Sequence, residues 1–467
     1  MTRDADLWID EEEVKNLRQA LQGELKDRQF GLPLRLEVAA SCPEHLAHFL
    51  LTQFELGEDD LYRCGGPVNI MRLTSLIDQV DIDALKYKPF VPGRPERLVG
   101  ETDILAAIRR NDILLHHPYQ SFDPVVDFIR RAADDPDVVA IKQTVYRTGV
   151  NSVLMEALIT AAERGKEVTV VVELMARFDE EANINWAERL EHAGAQVVYG
   201  VFGFKTHAKL ALILRRELDP AGGTRLASYA HLGTGNYHPR NTRMYTDFGL
   251  LTADAEICAD VDEVFRHITS LSKSGRMKRL MLAPFTMQRR VIEMIRREAR
   301  HAKEGRPARI KAKMNGLTDE GVIRALQAAS QAGVAIDLIV RGACALRPGV
   351  PGLSENIRVR SVLGRFLEHH RIWSFENAGD AEVWLTSADW MGRNLFRRIE
   401  VAFPVLDPAL RRRVVEEGLD IYLADRSDAW LLDADGTWRP VRGGRRDRDT
   451  SAQALLLARQ AAPAALR

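Results

Sequence analysis

From Asp112 onward the chain alternates between short apolar runs and stretches with helical spacing. Val138 to Tyr146 is an apolar run of the kind carried by a buried strand. Val153 to Arg164 reads as a helix, Val168 to Leu174 as a strand, Asn183 to Ala193 as a helix and Val197 to Val201 as a third strand. That order predicts βαβ units and a mainly parallel sheet. The same grammar returns after residue 305. Ile310 to Met314 predicts a strand, Glu320 to Ala332 a helix, and Val334 to Val340 and Ile357 to Val362 two more strands. Even the helix endings match: Ala161-Ala162-Glu163-Arg164-Gly165 against Ala328-Ala329-Ser330-Gln331-Ala332-Gly333. The period is far longer than a solenoid repeat, so we read a duplication: two related α/β domains facing each other, bridged by a helical segment from Ile257 to Arg300.

Residues 1–95 have a different texture. A charged helical stretch, Glu11 to Gln29, is followed by short elements and a proline-rich exit, Lys88 to Pro95, which reads as a linker. The expected division is an α+β segment at 1–95 and two α/β domains at 96–280 and 281–467. Near the end, Arg442 to Arg448 is rich in glycine and arginine, reads as solvated surface and precedes a last short helix.

Composition narrows the field without naming a function. The chain has 467 residues, 46% hydrophobic and 28% charged, with a formal net charge of −1. No global field selects nucleic acid or a membrane, so an anion site must be a local concentration of cations. No apolar run is long enough to span a bilayer and none near the acidic N-terminus resembles a signal peptide. Cys42, Cys64, Cys258 and Cys344 lack metal-ligand spacing, which points to free thiols in the cytoplasm.

The candidate chemistry sits on a segment written twice. The first copy is Lys205-Thr206-His207-Ala208-Lys209, followed by Gly233-Thr234-Gly235-Asn236. The second is Glu368-His369-His370-Arg371, followed by Thr386-Ser387-Ala388-Asp389. In this register Asp247 matches Glu400 and Asn241 matches Asn394. On a strand, His207 and Lys209 share a face, as do His369 and Arg371, while His370 points away and reads as structural. A neutral imidazole is a good nucleophile toward phosphorus, and a neighbouring cation neutralises the oxygens under attack. His369 reads as a general acid or as a stabiliser of charge on the leaving oxygen. Asp247 and Glu400 read as carboxylates that set the histidine tautomers. A lone His-x-Lys is more often a buried histidine with a satisfied neighbour; the second copy reverses that balance. Arg147, Arg177 and Arg341 end predicted strands, where open α/β sheets gather ligands, and Lys313 lies on the strand before Arg341. Together they form a cation cluster suited to several phosphates.

These residues carry a resemblance. The chain resembles polyphosphate kinases of the large bacterial type, whose catalytic domains are phospholipase D-like. The likeness runs from about residue 20 to the end. It includes Leu115-His116-His117-Pro118-Tyr119-Gln120-Ser121-Phe122, Lys205 to Lys209, Tyr245-Thr246-Asp247, Val340-Arg341-Gly342, Pro351 to Ile357 and Ser387-Ala388-Asp389-Trp390. It implies a reversible transfer of the ATP γ-phosphate, with Mg²⁺, through a phosphohistidine to the end of a polyphosphate chain. His207 is implied as the phosphohistidine. Tyr245, Arg341, His369 and Arg398 are implied to contact the nucleotide and its phosphates, with Arg371 and Lys313 counted as further phosphate contacts. Arg147 and Arg177 match arginines at the Mg²⁺ site; arginine has no lone pair for a metal, so they are assigned to Mg²⁺-bound phosphate oxygens. ATP, ADP and polyphosphate are the implied partners, without nucleic acid. A homo-oligomer or a separately encoded N-terminal segment is expected, and peripheral membrane association is left open.

The resemblance implies a further N-terminal stretch, including an asparagine that contacts adenine, so that residues 1–95 are expected to be a partial head domain and 96–280 and 281–467 the two phospholipase D-like catalytic domains. That motivates a second reading, a catalytically impaired fragment that binds polyphosphate. A third is a phospholipase D-like phosphodiesterase, whose usual signature is His-x-Lys-x4-Asp. Here Leu214 occupies the aspartate position after His207, and only Glu376 matches in the second copy.

Overall fold

The computed structural model describes residues 1–4, 31–147, 149, 151–174, 176, 179–201, 203–219, 222–270, 275–441 and 451–462. The helix expected at Glu11 to Gln29, the basic run at Arg442 to Arg448, and Arg177 lie outside these residues. The chain divides into two units, 1–89 and 90–467.

In the first unit, β1 (Thr2–Arg3), β2 (Pro33–Ala39) and β3 (Leu61–Cys64) form a sheet in that order. Leu36 and Val38 of β2 meet Leu51 of the helix Glu44–Gln53 in a small core. The proline-rich exit is not a free linker throughout. Val91 accepts a hydrogen bond from Ala462 N, and Gly93 N donates to Tyr119 O, so residues from Phe90 onward belong to the second unit.

The first half of the second unit contains β4 (Ile113–His117), β5 (Val138–Val145), β6 (Glu167–Val172), β7 (Gln196–Val198), β8 (Lys205–Thr206), β9 (Lys209–Leu218), β10 (Thr224–Gly233) and β11 (Tyr245–Thr252). The second half contains β12 (Met281–Ala283), β13 (Arg309–Met314), β14 (Ala335–Val340), β15 (Ile357–Val362), β16 (Leu367–Glu368), β17 (Arg371–Phe375), β18 (Glu382–Thr386), β19 (Arg398–Pro404), β20 (Ala429–Leu432) and β21 (Trp438–Pro440).

The duplication extends to topology. β5, β6 and β7 run parallel, as do β13, β14 and β15. The first connecting helix of each set, Val153–Glu163 and Glu320–Gln331, starts on a side-chain cap: Ser152 accepts from Met155 N, and Asp319 from Val322 N. Gly165 and Gly333, at φ +78° and +93°, follow the two matched helix ends, where a left-handed residue terminates the turn. The rest of each sheet departs from the mainly parallel expectation. β9, β10, β11 and β4 pair antiparallel, and so do β17, β18, β19 and β12. The physical reason is connection length. The few residues between β9 and β10 can only return the chain antiparallel, whereas parallel pairing needs a crossover. The bridge is also interrupted: helices Ala255–Ser270 and Met287–Lys303 flank β12, whose apolar run adds an edge to the second sheet.

The two halves share one core. Leu210, Leu232 and Phe248 of the first half pack in one cluster with Ile372, Leu385, Phe403 and Tyr422 of the second. The halves also exchange strands. β8 pairs with β19 of the second half, and β16 pairs with β11 of the first, both in parallel. Gly418 sits where the shared core is tightest: an added Cβ would lie 2.3 Å from Ile372 Cδ1 and 3.0 Å from Phe248 Cε2. Gly418→Ala is therefore expected to overpack this junction and lower stability by about 1–3 kcal/mol, read from the denaturant midpoint.

Candidate active site

Each histidine stands at the point where the chain leaves the other half's sheet and enters its own. β8 ends at Thr206 against Ile399, both His207 N and Ala208 N donate to Ile399 O, and β9 begins at Lys209. β16 ends at Glu368 against Thr246, His369 N donates to Thr246 Oγ1 at 3.1 Å, and β17 begins at Arg371. Neither histidine lies within a continuous strand, as simple alternation would place it.

The carboxylates act across the pseudo-twofold. His207 Nδ1 is 2.9 Å from Glu400 Oε2, and His369 Nδ1 is 2.8 and 2.9 Å from the two oxygens of Asp247. Glu400 lies on β19 of the second half and Asp247 on β11 of the first, so each half orients the other's imidazole. Thr234 Oγ1 donates to Asp247 Oδ1 at 2.7 Å. Gly235 is required beside it, since a Cβ there would fall 2.0 Å from Asp247 Oδ2. His370 faces the other way, packed near His116, Phe248 and Tyr422.

One cleft of about 370 Å³ receives both histidines. Its walls include Tyr146, Arg147, Tyr245, Asn315, Arg341, Arg371, Asp389, Arg393 and Arg398. Five of the lining residues are arginines, against one carboxylate, Asp389, so the cleft is built for anions. Asp389 is itself engaged: it accepts from Arg371 Nη2 at 3.0 Å and from Asn315 N at 2.6 Å. Arg371 Nη1 also lies 3.1 Å from His369 Nε2. Arg341 Nε donates to Asn315 Oδ1 at 2.9 Å, and Arg147 pairs with Asp179 at 3.2 Å. Tyr146 stands edge-on to His207 with centroids 4.8 Å apart, and Tyr245 lies 5.1 Å from His369.

Two expected phosphate cations do not line this cleft. Lys209 is 2% exposed, and its ammonium donates back to the carbonyl of His207, 5.3 Å from the Tyr146 ring centroid. Lys313 is 1% exposed, bonded to Glu368 Oε2 at 2.6 Å and set over the Tyr422 ring. Its side of β13 faces the buried interior, which corrects its assignment as a phosphate contact. Sequence reading passed over Tyr146, Asn315, Asp389 and Arg393. Tyr146 and Asn315 were within reach, since they directly follow the matched strands β5 and β13.

Burial dominates the electrostatics. It pushes the His207 pKa well below its ordinary value, and Lys209, Arg398 and Arg371 add to the effect. Burial and Arg371 lower His369 against the pull of Asp247. Burial pushes the Glu400 carboxyl up to about 7, even with Lys209 and Arg398 opposing it. Burial also works against ionised Asp247, but His369, Thr234 and Arg371 outweigh it and hold its pKa below the usual range. Both imidazoles are thus neutral near pH 7. With Glu400 ionised, His207 carries its proton on Nδ1 and keeps the Nε2 lone pair for the cleft.

Among the described residues no three His, Cys, Asp or Glu side chains group as a metal site. Asp247, Asp389 and Glu400 are each committed to histidine or arginine. These described residues therefore do not fit a protein-ligated Mg²⁺.

The proton shared by His207 and Glu400 generates a pH prediction. Below about pH 7 Glu400 takes up a proton and donates that O–H in a hydrogen bond to Nδ1, so the single imidazole hydrogen moves from Nδ1 to Nε2. ¹⁵N spectra of labelled His207 are expected to show Nε2 changing from unprotonated to protonated as pH falls through about 7. Glu400→Gln, whose carbonyl still accepts from Nδ1–H, is expected to remove this change.

The chain is similar to known proteins along most of its length. The polyphosphate kinase middle domain matches residues 1–76, C-terminal domain 1 residues 103–274 and C-terminal domain 2 residues 280–453. The chain is 58% identical over 436 residues to the polyphosphate kinase of Neisseria gonorrhoeae, covering 93% of this chain and 63% of that protein. It is 55% identical over 459 residues to that of Burkholderia lata, covering 98% and 66%. It therefore spans about two thirds of the length of these relatives. The crystal structure of polyphosphate kinase from Porphyromonas gingivalis superposes with a TM-score of 0.82 at 37% identity, over 91% of this chain and 64% of that one. With three family domains matched in order and one fold shared throughout, this chain belongs to the polyphosphate kinase family.

Proposed function

We propose that the chain transfers the γ-phosphate of ATP through His207 to the end of a polyphosphate chain, and runs the same steps in reverse. The observation that carries this reading is the meeting of two histidines, each held by a carboxylate of the opposite half, in one arginine-lined cleft. His207 Nε2 attacks the γ-phosphorus; a P–N bond forms, the bridging P–O bond breaks, and ADP leaves with the electron pair. A terminal oxygen of polyphosphate then attacks the same phosphorus, forming P–O as P–N breaks. The Nδ1 proton stays in place throughout, and ionised Glu400 balances the positive charge that the ring acquires on phosphorylation.

His369 fits a role in holding Arg371 better than acid catalysis. Its Nδ1 hydrogen is held by Asp247 and its Nε2 faces Arg371, so it has no second proton to give near pH 7. ADP is an adequate leaving group unprotonated, and Arg371, Arg341 and Arg398 would take up the charge that develops on it. Arg147 is placed to hold phosphate oxygens from the opposite wall. Tyr245 offers a ring beside the nucleotide. A divalent ion, Mg²⁺ in this reading, would enter already coordinated by substrate phosphates. A homo-oligomer and a cytoplasmic location belong to the same proposal; no helix among the described residues is long and apolar enough to cross a membrane.

The test is incubation of the full chain with γ-labelled ATP and Mg²⁺. Acid-labile, alkali-stable label is expected on the protein and absent from His207→Ala. Arg371→Ala is expected to slow labelling by about 10²-fold, the usual consequence of removing one aimed donor from developing charge. Folded wild-type protein that takes no label would refute the proposal. Release of alcohol from a diester substrate would instead support the phosphodiesterase reading, in which Leu214 lacks the expected carboxylate.

A further inference from the structure

We propose that Gln453 and Lys313 are positioning residues for His369 and Asp247, acting through the buried carboxylate of Glu368. Glu368 is the last residue of β16 and directly precedes His369. It is 3% exposed and collects three donors from three parts of the fold. Oε2 accepts from Lys313 Nζ at 2.6 Å and from Thr246 Oγ1 at 2.9 Å; Oε1 accepts from Gln453 Nε2 at 2.5 Å. Thr246 directly precedes Asp247, and its hydroxyl also receives His369 N. One carboxylate therefore ties the backbone carrying His369 to the backbone carrying Asp247, the two groups whose side chains meet at 2.8 Å.

A side-chain clamp is needed here because the exchanged strand is so short. β16 pairs with β11 through only Leu367↔Tyr245 and Glu368↔Thr246, too few ladder bonds to hold a register alone. Gln453 grips the same strand a second way: Phe366 N donates to its Oε1 at 2.9 Å and its Nε2 donates to Phe366 O at 2.9 Å. Gly364 leaves the space, since a Cβ there would fall 2.5 Å from Gln453 Oε1. Gln453 is itself located by the C-terminal helix Ala452–Gln460. That helix is fastened at its start, where Ala452 N donates to Asp425 Oδ2 at 2.7 Å, and beyond its end, where Ala462 N donates to Val91 O at 2.9 Å. The counterpart strand β8 is equally short, and there too a carboxylate is used: Glu173 Oε2 accepts from Thr206 N at 2.7 Å, next to His207. The fold thus places a glutamate clamp behind each histidine, and the His369 clamp is linked to the C-terminal helix. Lys313 supplies its counter-charge, and the carboxylate accepts from all three donors.

The turnover arm of the test rests on the proposed reaction; the spectroscopic arm does not. Gln453→Leu, the roomier Gln453→Ala, Glu368→Gln, and the double variant Glu368→Gln/Gln453→Leu would be made in the full chain. Exchange of the His369 Nδ1–H proton with water would be followed by NMR, alongside the labelling rate at His207. Loss of the Gln453 donor is expected to speed that exchange and slow labelling about ten- to a hundredfold, the scale set by misplacing a reacting group. In the double variant the two losses are expected not to add. A lowered melting point with unchanged His369 proton exchange, or strictly additive losses, would overturn the inference. If wild-type protein takes no label, the proposed reaction falls, while proton exchange still decides whether Gln453 positions His369.

Discussion

The structure depends on a reciprocal exchange of two very short strands. β8 leaves the first half to pair with β19, and β16 leaves the second to pair with β11. Each returns to its own sheet immediately after a histidine. The exchange delivers each imidazole to the carboxylate of the opposite half, at 2.9 Å for His207–Glu400 and 2.8 Å for His369–Asp247. Neither half alone supplies both a cleft histidine and the carboxylate that orients it. The shared core around Phe248, Ile372 and Tyr422 holds the two sheets in the one relation that keeps both contacts at hydrogen-bond length.

Burial on this scale is expensive for charge, and the site is arranged to compensate. An isolated buried lysine or carboxylate would cost several kcal/mol. Here Lys313 meets Glu368, Arg371 meets Asp389, and Glu400 lies among Lys209, Arg398 and His207. The result is a set of dipoles and charges already aimed before any substrate arrives, which is the main physical means by which phosphoryl transfer is accelerated. The arginines that line the cleft outnumber its carboxylates, leaving a net positive surface for a substrate with many negative charges.

Much of the fold was legible because periodicity is local. β5, β6, β13, β14 and β15 each fall within a residue or two of the apolar runs that predicted them, and the paired helix endings marked the duplication. The antiparallel part of each sheet was not legible from alternation alone, since an apolar run does not reveal the direction of its neighbour. In the site, the matched spacing of Asp247 and Glu400 identified both carboxylates, because a duplicated geometry preserves offsets. Lys209 and Lys313 were misjudged as cleft cations for a shared reason. A lysine near a phosphate-binding motif looks the same in sequence whether its ammonium reaches the cleft or turns to a buried acceptor.

The sequence by itself determined the repeated α/β grammar, the two histidines with their cations, and the matched carboxylates, because these follow from residue type and spacing along one chain. Tertiary structure decided which carboxylate serves which histidine, which cations face the cleft, and which are consumed beneath it. Those outcomes turn on residues from opposite halves, far apart in the chain, as with His207 and Glu400. Only packing of the two sheets brings such partners within hydrogen-bond reach.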